Sequence, residues 1–278
     1  MPEQTPSRVE TDRETYRNFY DSGVSALLSA IWCGNLHMGL FASASEPLVE
    51  AQERLKDYLA RAAGLTASQH VIEAACGAGT TALHLARVLG VQVHATNISE
   101  AQLAEAGDRA EAAGLSDRAT FAFADYHDLG GPSGIYDCWW CQEALLYATD
   151  RARVLTEARR VVKPGGRIVF TDLTLSHALS PGERAAFLAD IRAPHLWAIE
   201  NYDALIAGMG FRVSERQDWS PHAAWTFAAV ARNLEAVRGA FAARIGEETV
   251  RRIELSVGRQ RDMARAGHLG WCCYVLEV

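Results

Sequence analysis

HVIEAACGAGTTALHLA, residues 70–86, predicts a buried strand, a glycine turn and the start of a helix. Gly77 and Gly79 let the backbone approach a ligand closely, and the first turn of the helix presents unpaired N–H groups toward it. An open α/β sheet forms a nucleotide pocket in this way. Because an ordinary strand-to-helix loop fits the motif about as well, the rest of the chain must decide.

Strands and helices alternate after this turn. Apolar segments predict further strands at 91–96, 119–125, 135–140 and 167–172, and helices are predicted at about 100–113 and 151–162. The segment Lys163–Gly166 is expected to end the second helix and reverse the chain, since proline cannot continue a helix. The alternation predicts an α/β fold with a Rossmann-like, doubly wound, mostly parallel sheet.

Polar side chains follow the predicted strands where a nucleotide would lie. Asn97 ends the second strand about 20 residues after the glycine turn, in the position expected to contact a ribose. Asp125 ends the third strand and is expected to face an adenine amino group.

Taken together, these motifs resemble the class I S-adenosylmethionine-dependent methyltransferases. The segments concerned are EAACGAG at 73–79, Asp125, RVLTEARRVVKPGG at 153–166 and VFTD at 169–172. No third glycine completes a dinucleotide fingerprint and no acid closes the second strand, which disfavours a dehydrogenase. The resemblance implies bound S-adenosylmethionine, and the predicted contacts are Glu73, Gly77, Gly79, Asn97, Gln102, Asp125, Tyr126 and Gln142.

Segments outside the core resemble a small-molecule branch of that family. NLHMGL at 35–40 is similar to the motif that covers the cofactor in sarcosine and dimethylglycine methyltransferases and their tocopherol and cyclopropane-synthase relatives. AGHLGW at 266–271 is similar to the closing segment of the dimethylglycine enzymes. The likeness spans about Tyr20 to Val278.

The acceptor side departs from the glycine-betaine enzymes. They read Ser-Gln-Asp-Ala, a hydrophobic residue, Leu and His where this chain has CQEALLY at 141–147, and the spacing of Glu143 and Tyr147 resembles prenyl-diphosphate C-methyltransferases. The leading prediction is C-methylation of an isoprenoid alkene, with Glu143 stabilising and deprotonating a carbocation and Tyr147 beside it. N-methylation of a small amine or amino acid is the alternative.

Two further interpretations stay open at this stage. Glu143 could simply cap the next helix from a strand end. The chain could also be a cofactor-binding or scaffold protein without activity, although the intact Gly77, Gly79 and Asp125 argue against this.

The acceptor pocket is predicted to contain Trp32, His37, Trp219 and His222, because aromatic rings attract an ammonium ion or a carbocation. A diphosphate acceptor would also need cations, and Mg²⁺ is expected only in that case. The candidate cations are His37, Arg192, His195, His222, Arg232, Arg238, Arg259 and Arg261. No protein metal site is predicted, since the histidines lack a tight ligand spacing.

Composition restricts the class of partner. The 278 residues are 49% hydrophobic with a net charge of −7 and contain no basic block, so a small-molecule acceptor is expected and nucleic acid is not. The absence of a run of about 18 apolar residues and of a signal-peptide pattern predicts no membrane insertion and a cytoplasmic location. The six cysteines are expected to be reduced thiols. Whether the chain forms a homodimer is left open.

The predicted organisation is simple. Residues 1–68 form a tail and a helical cap, and residues 69–278 form the methyltransferase domain, with a helical lid insertion at about 176–200 and C-terminal helices at about 233–266. A strand at 211–215 and a final strand at 271–277 complete the sheet.

Overall fold

The structure is a computed structural model, and it describes residues 24–191, 193 and 196–278. The strands are β1 (His70–Ala74), β2 (Gln92–Asn97), β3 (Ala119–Phe123), β4 (Tyr136–Gln142), β5 (Val162–Leu175), β6 (Arg212–Asp218) and β7 (Leu269–Glu277). The helices are α1 (Ser25–Ile31), α2 (Leu48–Ala62), α3 (Thr80–Leu89), α4 (Glu100–Ala112), α5 (Arg151–Val161), α6 (Pro181–Ile191), α7 (Ile199–Gly208), α8 (Ser220–Ile245) and α9 (Glu247–Arg265), with a 3₁₀ turn at Leu145–Tyr147.

The seven strands form one sheet in the order β3-β2-β1-β4-β5-β7-β6. β1 pairs in parallel with both β2 and β4, so the strand order reverses between them, where open α/β sheets bind their ligands. β7 runs antiparallel to both β5 and β6. The predicted Rossmann-like, mostly parallel sheet is therefore confirmed.

The central strands are buried on both faces, as crossover helices require. One face carries Val71, Trp140 and Val169 in a core cluster with residues of α2, α3 and α8. The other face carries Ile72 and Trp139 in a cluster with residues of α5 and α7. Packing on both faces thus fixes the carboxyl ends of β1 and β4 at the crevice.

The segment Lys163–Gly166 is not the reversal that was predicted before a strand. β5 begins at Val162, and Tyr136 pairs with Val162 while Cys138 pairs with Arg167, so these four residues bulge within the strand pairing. A Cβ on Gly166 would lie 2.7 Å from the Asp137 carbonyl oxygen, which explains glycine there. The bulge lets the strand follow directly on α5.

The C-terminal helices also start elsewhere than predicted. α8 begins at Ser220, well before the expected start near 233, because Asp218 accepts the Ser220 N–H at 3.0 Å and Pro221 fits the first turn. The predicted break at Gly246 is confirmed, with a positive φ of 91° between α8 and α9. α6 lies inside the predicted lid at 176–200. The predicted tail up to residue 23 lies outside the described residues.

None of the helices in the described part of the chain is long and apolar enough to cross a membrane.

Candidate active site

The glycine turn after β1 opens the site. Gly77 and Gly79 have φ values of 55° and 77°, which glycine adopts without strain. A Cβ on Gly77 would meet nothing within 4 Å, whereas one on Gly79 would lie 2.7 Å from the Phe121 ring and 2.9 Å from Ala106. Gly77 therefore leaves room for a ligand, and Gly79 lets α3 begin close to β3 and α4.

Two buried side chains at the carboxyl ends of β1 and β4 each have a polar atom without a hydrogen-bond partner. These atoms are Glu73 Oε2 and Gln142 Nε2. Glu73 lies opposite Trp140, and Gln142 is two residues further on the same face, where its Oε1 accepts from Trp140 Nε1 at 2.9 Å. Burial raises the pKa of Glu73 to about 8. A carboxyl oxygen of Glu73 and an amide N–H of Gln142 can therefore bond to a polar ligand.

Asn97 ties two loops together at the end of β2. Its Nδ2 donates to the Gly77 carbonyl at 3.3 Å and to Gln102 Oε1 at 2.8 Å. Its Oδ1 accepts the N–H of Ile98 at 2.8 Å. The side chain therefore fixes the glycine turn against the start of α4, and contact with a ribose stays a prediction.

Asp125 lies after β3 beside a histidine. Its Oδ1 accepts the backbone N–H of His127 at 2.9 Å and faces His127 Nδ1 at 2.8 Å. The neighbouring Tyr126 donates its hydroxyl to the Ala144 carbonyl at 3.3 Å, and burial raises the pKa of Tyr126 well above its ordinary value. This links the loop after β3 to the loop after β4.

These residues fit S-adenosylmethionine. The turn leaves space in front of Gly77, and the unpartnered atoms of Glu73 and Gln142 can satisfy an amino acid moiety. Asn97 and Asp125 follow β2 and β3, where a ribose and an adenine are expected.

Glu143 is the centre of the acceptor side. Its backbone is left-handed, with φ 44°, and its N–H donates to the Thr171 carbonyl at 2.8 Å. Oε1 accepts from Trp271 Nε1 at 2.8 Å and from Thr171 Oγ1 at 2.5 Å. Oε2 accepts the N–H of Met38 at 3.3 Å and faces His37 Nδ1 at 3.0 Å. A non-glycine residue in this strained conformation, held by four donors, is typical of a functional position.

His37 and Glu143 form a nearly enclosed pair, with side chains 12% and 6% exposed. A carboxylate can only accept, so Nδ1 of His37 carries the hydrogen, and in the neutral imidazole Nε2 is then the nitrogen with the lone pair. Glu143 therefore fixes both the tautomer and the orientation of the ring.

His37 lies in a segment that we call the strap, residues 35–41. Gln52 Nε2 on α2 donates to the carbonyls of Asn35 and His37, both at 2.8 Å. Arg54 Nη1 donates to the Leu40 carbonyl at 2.8 Å, and a Cβ on Gly39 would lie 2.7 Å from Ala51. The strap is thus packed along α2 across the end of β4.

Three other predicted acceptor residues are held by aromatic or core packing. Trp32 packs edge-on against Phe227 at 5.8 Å, and Trp219 packs on Trp271 at 4.9 Å. Tyr147 lies in the 3₁₀ turn and packs, partly buried, on the main core cluster. Their contact with an acceptor stays a prediction.

The sequence analysis placed Trp32 and Trp219, and not Trp271, in the acceptor pocket. The indole N–H that bonds to Glu143 nevertheless belongs to Trp271. Thr171, Gln52 and Arg54 were also missed. The AGHLGW motif contains Trp271 and was the feature of the sequence that could have indicated its role.

Of the predicted cations, His37 lies at Glu143 and His222 accepts the Phe41 N–H, whereas the arginines that the structure describes lie on α8 and α9. Arg238 pairs with Glu247 and Glu254 between α8 and α9, and Arg261 pairs with Asp262. Arg232 is exposed on α8, and Arg259 lies on α9. Arg192 and His195 lie outside the described residues. Within the described residues, no three His, Cys, Asp or Glu side chains are arranged to hold a metal ion.

A second charged network lies on the opposite face of the sheet. Asp172 on β5 is fully buried and accepts the hydroxyl of Tyr202, which in turn accepts from Arg151 Nε at 2.9 Å. The Arg151 guanidinium stacks 4.4 Å from the centre of the Trp197 ring. Burial raises the pKa of Asp172 to about 7, although the charge of Arg151 opposes this.

Comparison with known proteins places this geometry in context. Residues 71–166 match the family described as Methyltransferase domain. The chain is 31% identical over 257 residues to the Methyltransferase GfsG of Streptomyces halstedii, and the match covers 91% of each chain. It is 30% identical over 281 residues to the 27-O-demethylrifamycin SV methyltransferase of Amycolatopsis mediterranei, covering 98% of this chain and 97% of that protein.

Similarity extends to an N-methyltransferase and to a solved structure. The chain is 25% identical to the Sarcosine/dimethylglycine N-methyltransferase of Halorhodospira halochloris, covering 93% of this chain and 94% of that protein. The crystal structure of the [4+2]-cyclase SpnF superposes with a TM-score of 0.83 at 25% identity, covering 95% of this chain and 96% of that chain.

Proposed function

The chain belongs to the class I S-adenosylmethionine-dependent small-molecule methyltransferases, and on that premise we propose that it methylates a hydroxyl oxygen of a neutral, largely apolar acceptor. Two methyltransferases matched over nine-tenths of their length at 30% identity or more confirm the predicted family. The proposal depends on one observation, the enclosed pair of His37 and Glu143.

An alcohol must lose its proton as it becomes a nucleophile, and a positioned base assists this step. When bound, S-adenosylmethionine supplies the electrophilic methyl group. His37 Nε2 accepts the hydroxyl proton, and Glu143 stabilises the imidazolium that results. The strap excludes water and holds the acceptor in line.

Apolar side chains of the strap and of β5 support a neutral acceptor, because Leu40 lies in the strap and Leu173 pairs with Trp271 across the sheet. Trp32, Leu40, Tyr147 and Leu173 are partly buried and pack on the core cluster that contains Trp271. The candidate arginines that the structure describes lie on α8 and α9, and Arg238 and Arg261 are already paired with acids. This arrangement favours an apolar alcohol over a diphosphate. The relative named for 27-O-demethylrifamycin SV supports oxygen as the methylated atom.

C-methylation of a prenyl diphosphate, with Glu143 as carbocation stabiliser and base, is the second candidate. The observation that favours it is the buried carboxylate of Glu143 against the ring pair of Trp271 and Trp219. In that reaction Glu143 itself takes the proton, and His37 only orients it.

N-methylation of a small amine is the third candidate, supported by the relative named for sarcosine and dimethylglycine. An ionised carboxylate beside the site tends to keep an amine protonated, which works against this reaction.

The test is incubation with methyl-labelled S-adenosylmethionine and a panel of acceptors, read by mass spectrometry. The panel contains 27-O-demethylrifamycin SV and simpler secondary alcohols, geranyl diphosphate with and without Mg²⁺, and glycine, sarcosine and dimethylglycine. Label on an alcohol oxygen supports the proposal. Label on a carbon of geranyl diphosphate overturns the proposal in favour of the second candidate, and label on an amine overturns it in favour of the third. Calorimetry with S-adenosylmethionine shows separately that the protein is folded and binds its cofactor.

A further inference from the structure

Four successive backbone amides of the strap each donate to a different partner. Met38 N–H donates to Glu143 Oε2 at 3.3 Å, and Gly39 N–H donates to Thr226 Oγ1 at 3.2 Å. Leu40 N–H donates to the Ala51 carbonyl at 3.0 Å, and Phe41 N–H donates to His222 Nδ1 at 3.1 Å. Three of the acceptors are oxygen atoms. The fourth is an imidazole nitrogen, which accepts only while it carries no proton.

His222 is built into the fold around this bond. It lies in the first turn of α8, and its ring packs edge-on against Trp225 at 5.3 Å. Its carbonyl accepts the Thr226 hydroxyl at 2.9 Å, so one turn of α8 holds both Gly39 and Phe41. Phe41 itself is buried, so its N–H cannot bond to water instead if the bond to His222 is lost.

We infer that His222 is a positioning residue whose neutral imidazole holds the strap on α8 and thereby keeps His37 beside Glu143. When Nδ1 takes a proton it becomes a donor that faces the Phe41 N–H, and the two donors repel each other. The end of the strap then leaves α8. The catalytic consequence rests on the proposed function, whereas the attachment of the strap does not.

Burial lowers the pKa of His222 from its ordinary value of 6.5, which keeps the ring neutral at neutral pH. The charged and titratable groups around the strap are Glu46 and Arg54 on the α2 side, Asp218 at the end of β6, and the pair of His37 and Glu143 at the far end. Glu46 accepts from Ala42 N–H and pairs with Arg54, so these two charges are directed at each other. Release of the strap is therefore expected below pH 6.5.

The test is hydrogen exchange of the full chain, measured by mass spectrometry on peptides that cover residues 35–42. Wild type, His222→Asn and His222→Ala are compared at about pH 7.5 and about pH 5, after correction for intrinsic exchange. An asparagine Oδ1 can replace Nδ1 as acceptor and does not titrate. His94→Asn is the matched control, because burial also lowers the pKa of His94, which bonds to Thr120 away from the strap.

We expect His222→Ala to lose about fivefold to tenfold of the protection at Phe41 at both pH values, as for one lost hydrogen bond. Wild type and His94→Asn should lose it only at the lower pH, and His222→Asn at neither. The inference is overturned if His222→Asn follows wild type on acidification, or if His222→Ala stays protected. Should His222→Ala fail to fold, the comparison of wild type with His222→Asn still decides.

A second measurement separates the inference from the proposed function. Methyl transfer to 27-O-demethylrifamycin SV is followed in the same variants, and loss of the strap should lower kcat with little change in the KM for S-adenosylmethionine. If hydrogen exchange behaves as expected but no methyl group is transferred to any alcohol, the role of His222 stands and the proposed acceptor class is wrong. A lowered kcat in His222→Ala without any change in exchange would overturn the role of His222.

Discussion

Around the glycine turn the hydrogen-bonded partners are near in sequence, whereas at Glu143 they are far apart. Asn97 bonds to residues 20 and 5 positions away, and Asp125 to one only 2 positions away. Glu143 bonds to His37, Met38 and Trp271, which are 106, 105 and 128 positions away. The predicted cofactor half of the crevice is thus formed mainly by contacts between neighbouring strand-to-helix units, and the acceptor half by segments from both ends of the chain.

This difference has a physical consequence. Contacts between neighbouring strand-to-helix units need little more than those units, so the predicted cofactor half depends less on the two ends of the chain. The acceptor half exists only when the strap and β7 both reach β4. Variants in the two halves should therefore fail in different ways.

The largest effect is expected from His37→Asn, which tests the acceptor half alone. Asparagine Nδ2 can replace Nδ1 as the donor to Glu143, but no base remains in the position of Nε2. We expect kcat for an alcohol to fall by about 10²-fold to 10⁴-fold, as for loss of a general base. The dissociation constant for S-adenosylmethionine, measured by calorimetry, should stay unchanged.

The same variant separates the two leading functions. If Glu143 is the base in C-methylation, His37→Asn keeps most of the activity toward geranyl diphosphate, and Glu143→Gln abolishes it. Weakened cofactor binding in His37→Asn would contradict the division of the crevice into two halves.

Gly79→Ala should damage the cofactor half in turn. The methyl group meets Phe121 and Ala106 at less than 3 Å, and the positive φ is unfavourable for alanine. We expect the free energy of unfolding to fall by about 1–3 kcal/mol and the affinity for S-adenosylmethionine to fall with it. Urea denaturation and calorimetry measure both.

Gly77→Ala is the matched control for the free energy of unfolding of this variant. It has a similar backbone conformation with open space around the Cβ, so it separates backbone strain from the steric clash. Equal destabilisation by the two substitutions would show that the contact with Phe121 is unimportant.

Asp172→Asn tests the buried network on the other face of the sheet through the pH dependence of the free energy of unfolding. Folding raises the pKa of Asp172 from 3.8 to about 7, so between these values the folded chain holds a proton that the unfolded chain has released. The contribution of this group therefore lowers the wild-type free energy of unfolding as pH rises from about 4 to 7, by about 1.4 kcal/mol per pH unit. The asparagine can still accept from Tyr202, and the variant should lack this slope.

The measurement is urea denaturation of both proteins at about pH 5 and about pH 8. Identical pH dependence of wild type and Asp172→Asn would contradict the raised pKa. Tyr202→Phe is a useful companion, because it removes the bonded hydroxyl and leaves the carboxyl in place.

The smallest effect is expected from Trp271→Phe, which keeps an aromatic ring and removes only the N–H that β7 contributes to Glu143. Thr171, Met38 and His37 still hold the carboxylate, so we expect kcat to fall about tenfold, near the lower value for a hydrogen bond to a charged group. Trp219→Phe is the control, since Trp219 packs on Trp271 without bonding to Glu143. Equal losses in both variants would show that packing, and not the N–H, is what matters.

The sequence predicted correctly which residues end the strands at the crevice. The glycine turn, Asn97 and Asp125 lie at strand ends, and the carboxyl ends of parallel strands meet at one edge of the sheet. Glu143 was found for the same reason. The bulge at Lys163–Gly166 was missed because Pro and Gly signal a break without saying whether the chain leaves the sheet.

The sequence by itself determined the alternation of strands and helices, the family and the glycine turn, because each is carried by hydrophobic periodicity or by short local motifs. Only the tertiary structure decided that Trp271 and not Trp32 bonds to Glu143, that His37 is its partner, and that His222 holds the strap. Those contacts join residues more than 100 positions apart. No periodicity or spacing encodes them, since they arise only when the sheet brings β4, β7 and the strap to one place.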